Sequence, residues 1–142
     1  MTDRPHDEPG SNIRGPQDVV AFLRSCEVPT GDRSQIVLGL ACTDAEPDQH
    51  GLCGAAVRTG DDAGREIDCE QLVALAEELV VCSLVVATIE PGAPTVPTRA
   101  EVEHFVALRR ACADEGVVLL DWIVVTEHHW CSLRDQVIRE AA

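Results

Sequence analysis

Gly116-Val117-Val118-Leu119-Leu120-Asp121-Trp122-Ile123-Val124-Val125 is the stretch on which the reading of this chain turns. After the glycine the run is almost wholly aliphatic and rich in β-branched residues. It is too short for a buried helix and bounded by a turn residue, which predicts a buried strand over Val117 to Thr126. A spanning helix would need about 20 apolar residues, so this run does not read as a membrane segment. One charge interrupts it. A carboxylate inside an apolar strand is costly unless it is hydrogen-bonded, so Asp121 is expected either to hold a structural bond or an arginine, or to belong to a site. Trp122 reads as a packing residue.

Working outward, Thr98-Arg99-Ala100-Glu101 is a capping box that opens a helix running to about Glu115, before Gly116. Val102, Phe105 and Val106 give that helix an apolar stripe. Arg109 interrupts it, and Leu108 and Cys112 continue it at a slant. Cys82 to Thr88 predicts another buried strand, followed by a rigid loop from Ile89 to Pro97 with three prolines. Asp68, with Gln71 three residues on, caps a helix carrying Leu72, Val73, Leu75, Ala76 and Leu79. Gln35 to Thr43 and Leu52 to Arg58 predict two strands, with a loop over Asp44 to Gly51. Pro16 opens a first helix with Val19, Val20, Phe22 and Leu23 on its apolar face. Trp130 to Leu133 reads as a last strand leading into a C-terminal helix. The order is helix, two strands, helix, strand, helix, strand, strand, and it predicts an α/β (α+β) domain with a mixed sheet flanked by helices. Residues 1–14 read as a disordered tail and 15–142 as one domain.

Composition narrows the function classes. Across 142 residues the formal charge is −14, from 25 Asp+Glu against 11 cations, every one of them arginine. Phosphate neutralisation requires clustered Lys and Arg, so a nucleic-acid partner is not expected, nor is adhesion to an anionic membrane. A basic partner, or none with strong charge, fits better. The start of the chain lacks an apolar export core, and a cytoplasmic location is expected. Cys26, Cys42, Cys53, Cys69, Cys82, Cys112 and Cys131 are odd in number and include no Cys-x-x-Cys pair. Most sit in apolar stretches and read as small hydrophobes rather than as a disulfide framework or zinc module.

Two pieces of the chain resemble the JAB/MPN domain of the RadC family. The first is Val85-Val86-Ala87-Thr88-Ile89-Glu90-Pro91 continuing to Pro97-Thr98-Arg99-Ala100-Glu101, where the family pattern is a buried strand followed by H-x-H-P-x6-S-x2-D. The second is the opening stretch followed by Ser132-Leu133-Arg134, where the family carries G-[IV]-x-L-L-D-H, three aliphatics and then S-L-R. A weaker match covers Pro16 to Val80. The resemblance implies a cytidine deaminase-like mixed sheet flanked by helices. It also implies, for the family, a zinc bound by two histidines and an aspartate, with an upstream glutamate handling the proton of the zinc-bound water.

This sequence departs from the pattern at each chemical position. Thr88 stands at the first histidine, Glu90 at the second and Glu101 at the aspartate. The upstream glutamate falls near Gln35 or Ile36, neither a general base. Glu101 is explained as well by its capping box, and Glu90 by a solvated loop. Together they are oxygen donors suited to a hard cation at most. His104 reads as a surface or boundary residue, and His128 and His129 as surface residues. The expectation is a RadC-like JAB/MPN domain without catalytic residues or a resident cofactor. It would act as a binding or regulatory module for a protein partner or as a homodimer, with Glu90, Glu101 and Asp121 as the candidate site. The alternative is a zinc-dependent peptidase or isopeptidase with a rearranged ligand set.

Overall fold

The computed structural model describes residues 12–13, 15–25, 34–42, 50–59, 67–89, 97–126 and 129–141. They form one mixed sheet with helices on both faces. In chain order the elements are β1 (Asn12–Ile13), α1 (Pro16–Ser25), β2 (Ser34–Cys42), β3 (His50–Thr59), α2 (Cys69–Leu79), β4 (Ser83–Ile89), α3 (Arg99–Asp114), β5 (Val118–Val125), β6 (Trp130–Ser132) and α4 (Leu133–Ala141). The spatial order is β1-β3-β2-β4-β5-β6. Only β4 and β5 run parallel; every other pair is antiparallel. The crossover between the parallel pair is α3, as a parallel connection requires.

Every strand residue of β4 is buried, because helices cover both of its faces. On one face α1 lays Val19, Val20 and Leu23 against Ile36, Leu38 and Val85. On the other, α2, α3 and the start of α4 contribute Leu72, Phe105 and Leu133 against Val37, Leu84 and Val86. Phe105 is fully buried and among the largest side chains in that layer.

Expectation and structure part at several places. Asn12 and Ile13, assigned by sequence to a disordered tail, pair with Gly51 and His50 at the sheet edge. The same pairing makes His50 and Gly51 part of β3 rather than of the loop before it. The buried stripe of α3 is Val102, Phe105, Leu108 and Cys112, while Val106 is only half-buried. A three-residue step from 102 to 108 followed by a four-residue step tracks a slanted line around the 3.6-residue turn. The remainder of the expected tail lies outside the described residues.

Both middle helices begin as the sequence predicts, with reciprocal capping boxes at Asp68/Gln71 and Thr98/Glu101. They also end alike, in different residues. At the end of α3 Gly116 takes φ +80°, and the Val117 N–H reaches back to the Cys112 carbonyl at 2.9 Å. At the end of α2 the equivalent left-handed residue is Val80, φ 58° and ψ 49°, with the Val81 N–H bonded to the Ala76 carbonyl at 3.0 Å. A β-branched side chain in that conformation crowds its own backbone. Val80 is 86% exposed, so burial returns little in exchange. Val80→Gly should therefore stabilise the fold by about 1 kcal/mol, since glycine relieves the left-handed penalty and is the usual residue at this cap. The measurement is the urea unfolding free energy of the two proteins; a loss of stability would show that the valine side chain makes a contact worth more than its strain.

Candidate functional site

In an open sheet with a parallel pair, the crevice at the carboxyl ends of the parallel strands is the usual place for chemistry. Here that end carries Thr88, the next-to-last residue of β4, and the N-terminus of α3 with Thr98 and Glu101. The register across β2, β4 and β5 sets what meets there. Gln35 pairs with Thr88 and Val37 with Val86. Between β4 and β5 the register slips by one residue: Leu84 faces Leu119, but Val85 faces Asp121, leaving Leu120 as the extra residue of a bulge. Beyond the bulge Val86 faces Trp122 and Thr88 faces Val124. Thr88 and Trp122 thus lie diagonally on the face covered by α2 and α3.

Thr88 is buried, and its hydroxyl oxygen accepts the indole N–H of Trp122 at 2.9 Å. Trp122 is therefore more than the packing residue the sequence suggested: it satisfies the one polar group that β4 buries at this end. The indole and the His104 ring on α3 meet in a T-shaped arrangement, with centroids 5.9 Å apart and planes at 70°. His104 is half-buried in this cluster, a boundary residue with a specific aromatic neighbour. Its signal in the sequence is only that it precedes buried Phe105. Gln35, at the level where the family's glutamate would fall, is also buried.

Glu101 is exposed and committed to the helix end. Its Oε1 accepts the Thr98 N–H at 2.8 Å, and its own N–H donates to the Thr98 hydroxyl at 3.1 Å. Glu90 lies outside the described residues, as does His128.

Asp121 is turned away from Trp122 by strand alternation and is 5% exposed. Its carboxylate takes three hydrogen bonds. The main-chain N–H groups of Trp122 (2.7 Å) and Arg134 (3.1 Å) donate to Oδ1, and the Ser132 hydroxyl donates to Oδ2 at 2.6 Å. Ser132 in turn accepts the Asp135 N–H at 3.1 Å, which caps α4. The Ser132-Leu133-Arg134 motif is thus held by Asp121 through a hydroxyl and a backbone amide, not through the arginine side chain. The hydrogen bonds give Asp121 a structural part; its expected place beside Glu90 and Glu101 in one site is a separate matter, with Glu90 outside the described residues.

Burial raises the Asp121 pKa from its ordinary value of 3.8, against the lowering effect of its three donors, with Asp135 adding a smaller upward push. Burial also raises the Cys131 thiol, helped by the charge of Glu101, so this sulfur is a protonated thiol at neutral pH. Among the described residues no three His, Cys, Asp or Glu side chains converge as metal ligands would. The parts brought together are therefore Thr88, Trp122, His104 and Gln35 on one face and Asp121 with Ser132 on the other.

Two consequences are testable. Asp121→Ala leaves three donors without their acceptor and should cost about 3 kcal/mol in urea unfolding at neutral pH, while Asp121→Asn, which keeps an acceptor oxygen, should cost less. Because the folded-state pKa is raised, the folded protein binds the extra proton more tightly than the unfolded chain. Stability from this group is complete below 3.8 and is lost as pH rises through the higher folded value. The wild type should therefore lose stability relative to Asp121→Asn as pH rises from 3.8 towards neutrality, read from paired urea midpoints across that range.

No protein-family model matches this chain, and no curated protein matches it.

Proposed function

We propose that the chain is a RadC-like JAB/MPN domain that has given up zinc-dependent hydrolysis and works as a binding or regulatory module. One observation carries the reading: at the position of the family's first histidine stands a buried threonine whose hydroxyl is already engaged by Trp122 Nε1. A neutral hydroxyl is a poor zinc ligand. Glu101, at the family's aspartate position, spends its carboxylate on the cap of α3. Gln35 and Ile36 supply no base. The described residues therefore do not fit a catalytic zinc.

The architecture supports the family reading independently of the lost ligands. A helix, an antiparallel strand pair and two further helix–strand units with a parallel centre form the order the resemblance implies. The second motif retains its interlocked Asp121, Ser132 and Arg134. Retention of the brace with replacement of the ligands is the pattern expected where the fold is kept and the chemistry is not.

No helix among the described residues is long and apolar enough to cross a membrane. The net charge of −14 favours a protein partner with a basic surface over nucleic acid. We place its action in the cytoplasm, on such a partner or on a second copy of itself.

The test is elemental analysis of purified protein by mass spectrometry, with an isopeptide- and peptide-cleavage assay in added zinc. Zinc well below one equivalent and no chelator-sensitive cleavage are expected. Stoichiometric zinc that disappears in Glu90→Ala or Glu101→Ala would overturn the reading in favour of a metallohydrolase with a rearranged ligand set.

A further inference from the structure

Among the described residues three large aliphatic side chains are exposed: Val80, Val118 and Ile138. Two of them share one place, at the amino end of the parallel pair and away from Thr88. α2 leads into β4 and α3 into β5, so both helices end where those strands begin, with Ser83 opposite Val118. The Val118 N–H donates to the Cys82 carbonyl at 2.7 Å, and Val80 is two residues, at most about 7 Å of chain, from Cys82. Val80 is 86% exposed and Val118 45%, and Cys82 is exposed as well.

The fold accounts for the turn at Val80 but not for the valine. Leu79 and Val81, on either side of it, both pack against the core. They lie over the paired Gly39 and Gly54 of β2 and β3. A Cβ at Gly39 would come to 3.0 Å from Leu79 Cδ1 and Val81 Cγ2, and one at Gly54 to 2.9 Å from Leu79 Cδ2. With both neighbours held inward, the residue between them turns outward in the left-handed conformation. Glycine would serve that turn without strain, as Gly116 does at the end of α3. A β-branched residue there is both strained and in water, and burial within this chain returns little of either cost.

The charges around the two valines are placed at a similar cost. Glu77 and Glu78 in the last turn of α2, and Asp114 and Glu115 at the end of α3, are exposed, and neither last turn carries a cation. Helix C-termini already bear partial negative charge, so these carboxylates add to the two dipoles instead of opposing them. Arg109 and Arg110 stand a turn further back on α3.

We propose that Val80 and Val118 are the apolar centre of a docking surface for a basic amphipathic segment of a partner protein. Aliphatic side chains of that segment cover the two valines, and its Lys or Arg side chains meet the four carboxylates and the carbonyl ends of α2 and α3. The proposal rests on the reading of the chain as a binding module and gives that module its surface. Such a partner supplies both things the surface lacks, burial for the valines and positive charge where two dipoles and four carboxylates add. A second copy of the chain does not, because a two-fold contact through this patch sets the same carboxylates against each other.

The experiment titrates the isotope-labelled full-length chain with a synthetic leucine–lysine peptide that is amphipathic as a helix, following the backbone amide resonances. Shifts confined to residues 77–82 and 114–118 are expected, fading as salt is raised. Val80→Gly should weaken binding about tenfold while leaving the fold at least as stable, which separates loss of contact from loss of structure. Val118→Thr, which keeps the branched shape, should weaken it as well. A peptide of the same charge with serine in place of leucine should bind at least about tenfold more weakly. Shifts centred on Thr88 and His104, no binding of the leucine–lysine peptide, unchanged affinity in both variants, equal binding of the serine peptide, or self-association through the patch would each overturn this surface. The binding-module reading falls instead to stoichiometric zinc and chelator-sensitive cleavage, so the two failures are told apart.

Discussion

A single buried carboxylate fixes the far edge of this molecule. Asp121 sits in a strand that would otherwise be wholly apolar, and the three donors that converge on it offset part of the cost of that burial. Two of those donors come from the last part of the chain. β6 is three residues long and α4 nine, and α4 adds Leu133 and Val137 to the core on its side of the sheet. Asp121 recruits both: it binds the Ser132 hydroxyl at the end of β6 and the Arg134 amide in the first turn of α4. Ser132 then caps the helix with its remaining oxygen capacity. Strand, cap and helix form one polar network whose members are satisfied by each other, which is why the charge is tolerated.

The bulge at Leu120 gives that network its companion on the opposite face. By inserting one residue between Leu119 and Asp121, β5 shifts its later side chains relative to β4. The shift brings Trp122 level with Val86 and within reach of Thr88, and the indole then covers the only hydroxyl that β4 buries near its carboxyl end. His104 closes the cluster from α3. The end of the parallel pair, where other α/β sheets keep an open polar crevice, is here occupied by the protein's own aromatic side chain.

Most element types were legible in the sequence because their signals are local. Asp68 with Gln71 and Thr98 with Glu101 announce helix starts, Gly116 announces an end, and the aliphatic runs announce buried strands. Where the signal depends on partners distant in sequence, reading stopped. β1 is two residues defined only by its pairing to β3, and nothing in Asn12-Ile13 foretells it. The end of α2 is invisible because valine occupies the left-handed position that glycine would have marked. The need of Asp121 for a partner was legible, but the identity of that partner was not, since an arginine side chain and an arginine amide look alike in a sequence. The capping role of Glu101 was legible, whereas the partner of Thr88, 34 positions away in the chain, required the fold.

Asp121 and Ser132 act as one brace. A double-mutant cycle on Asp121→Asn and Ser132→Ala, read by urea unfolding at neutral pH, tests it most directly. A coupling of about 1–2 kcal/mol is predicted, since the pair is buried and in direct hydrogen-bond contact. Additive losses, with coupling indistinguishable from zero, would contradict the account.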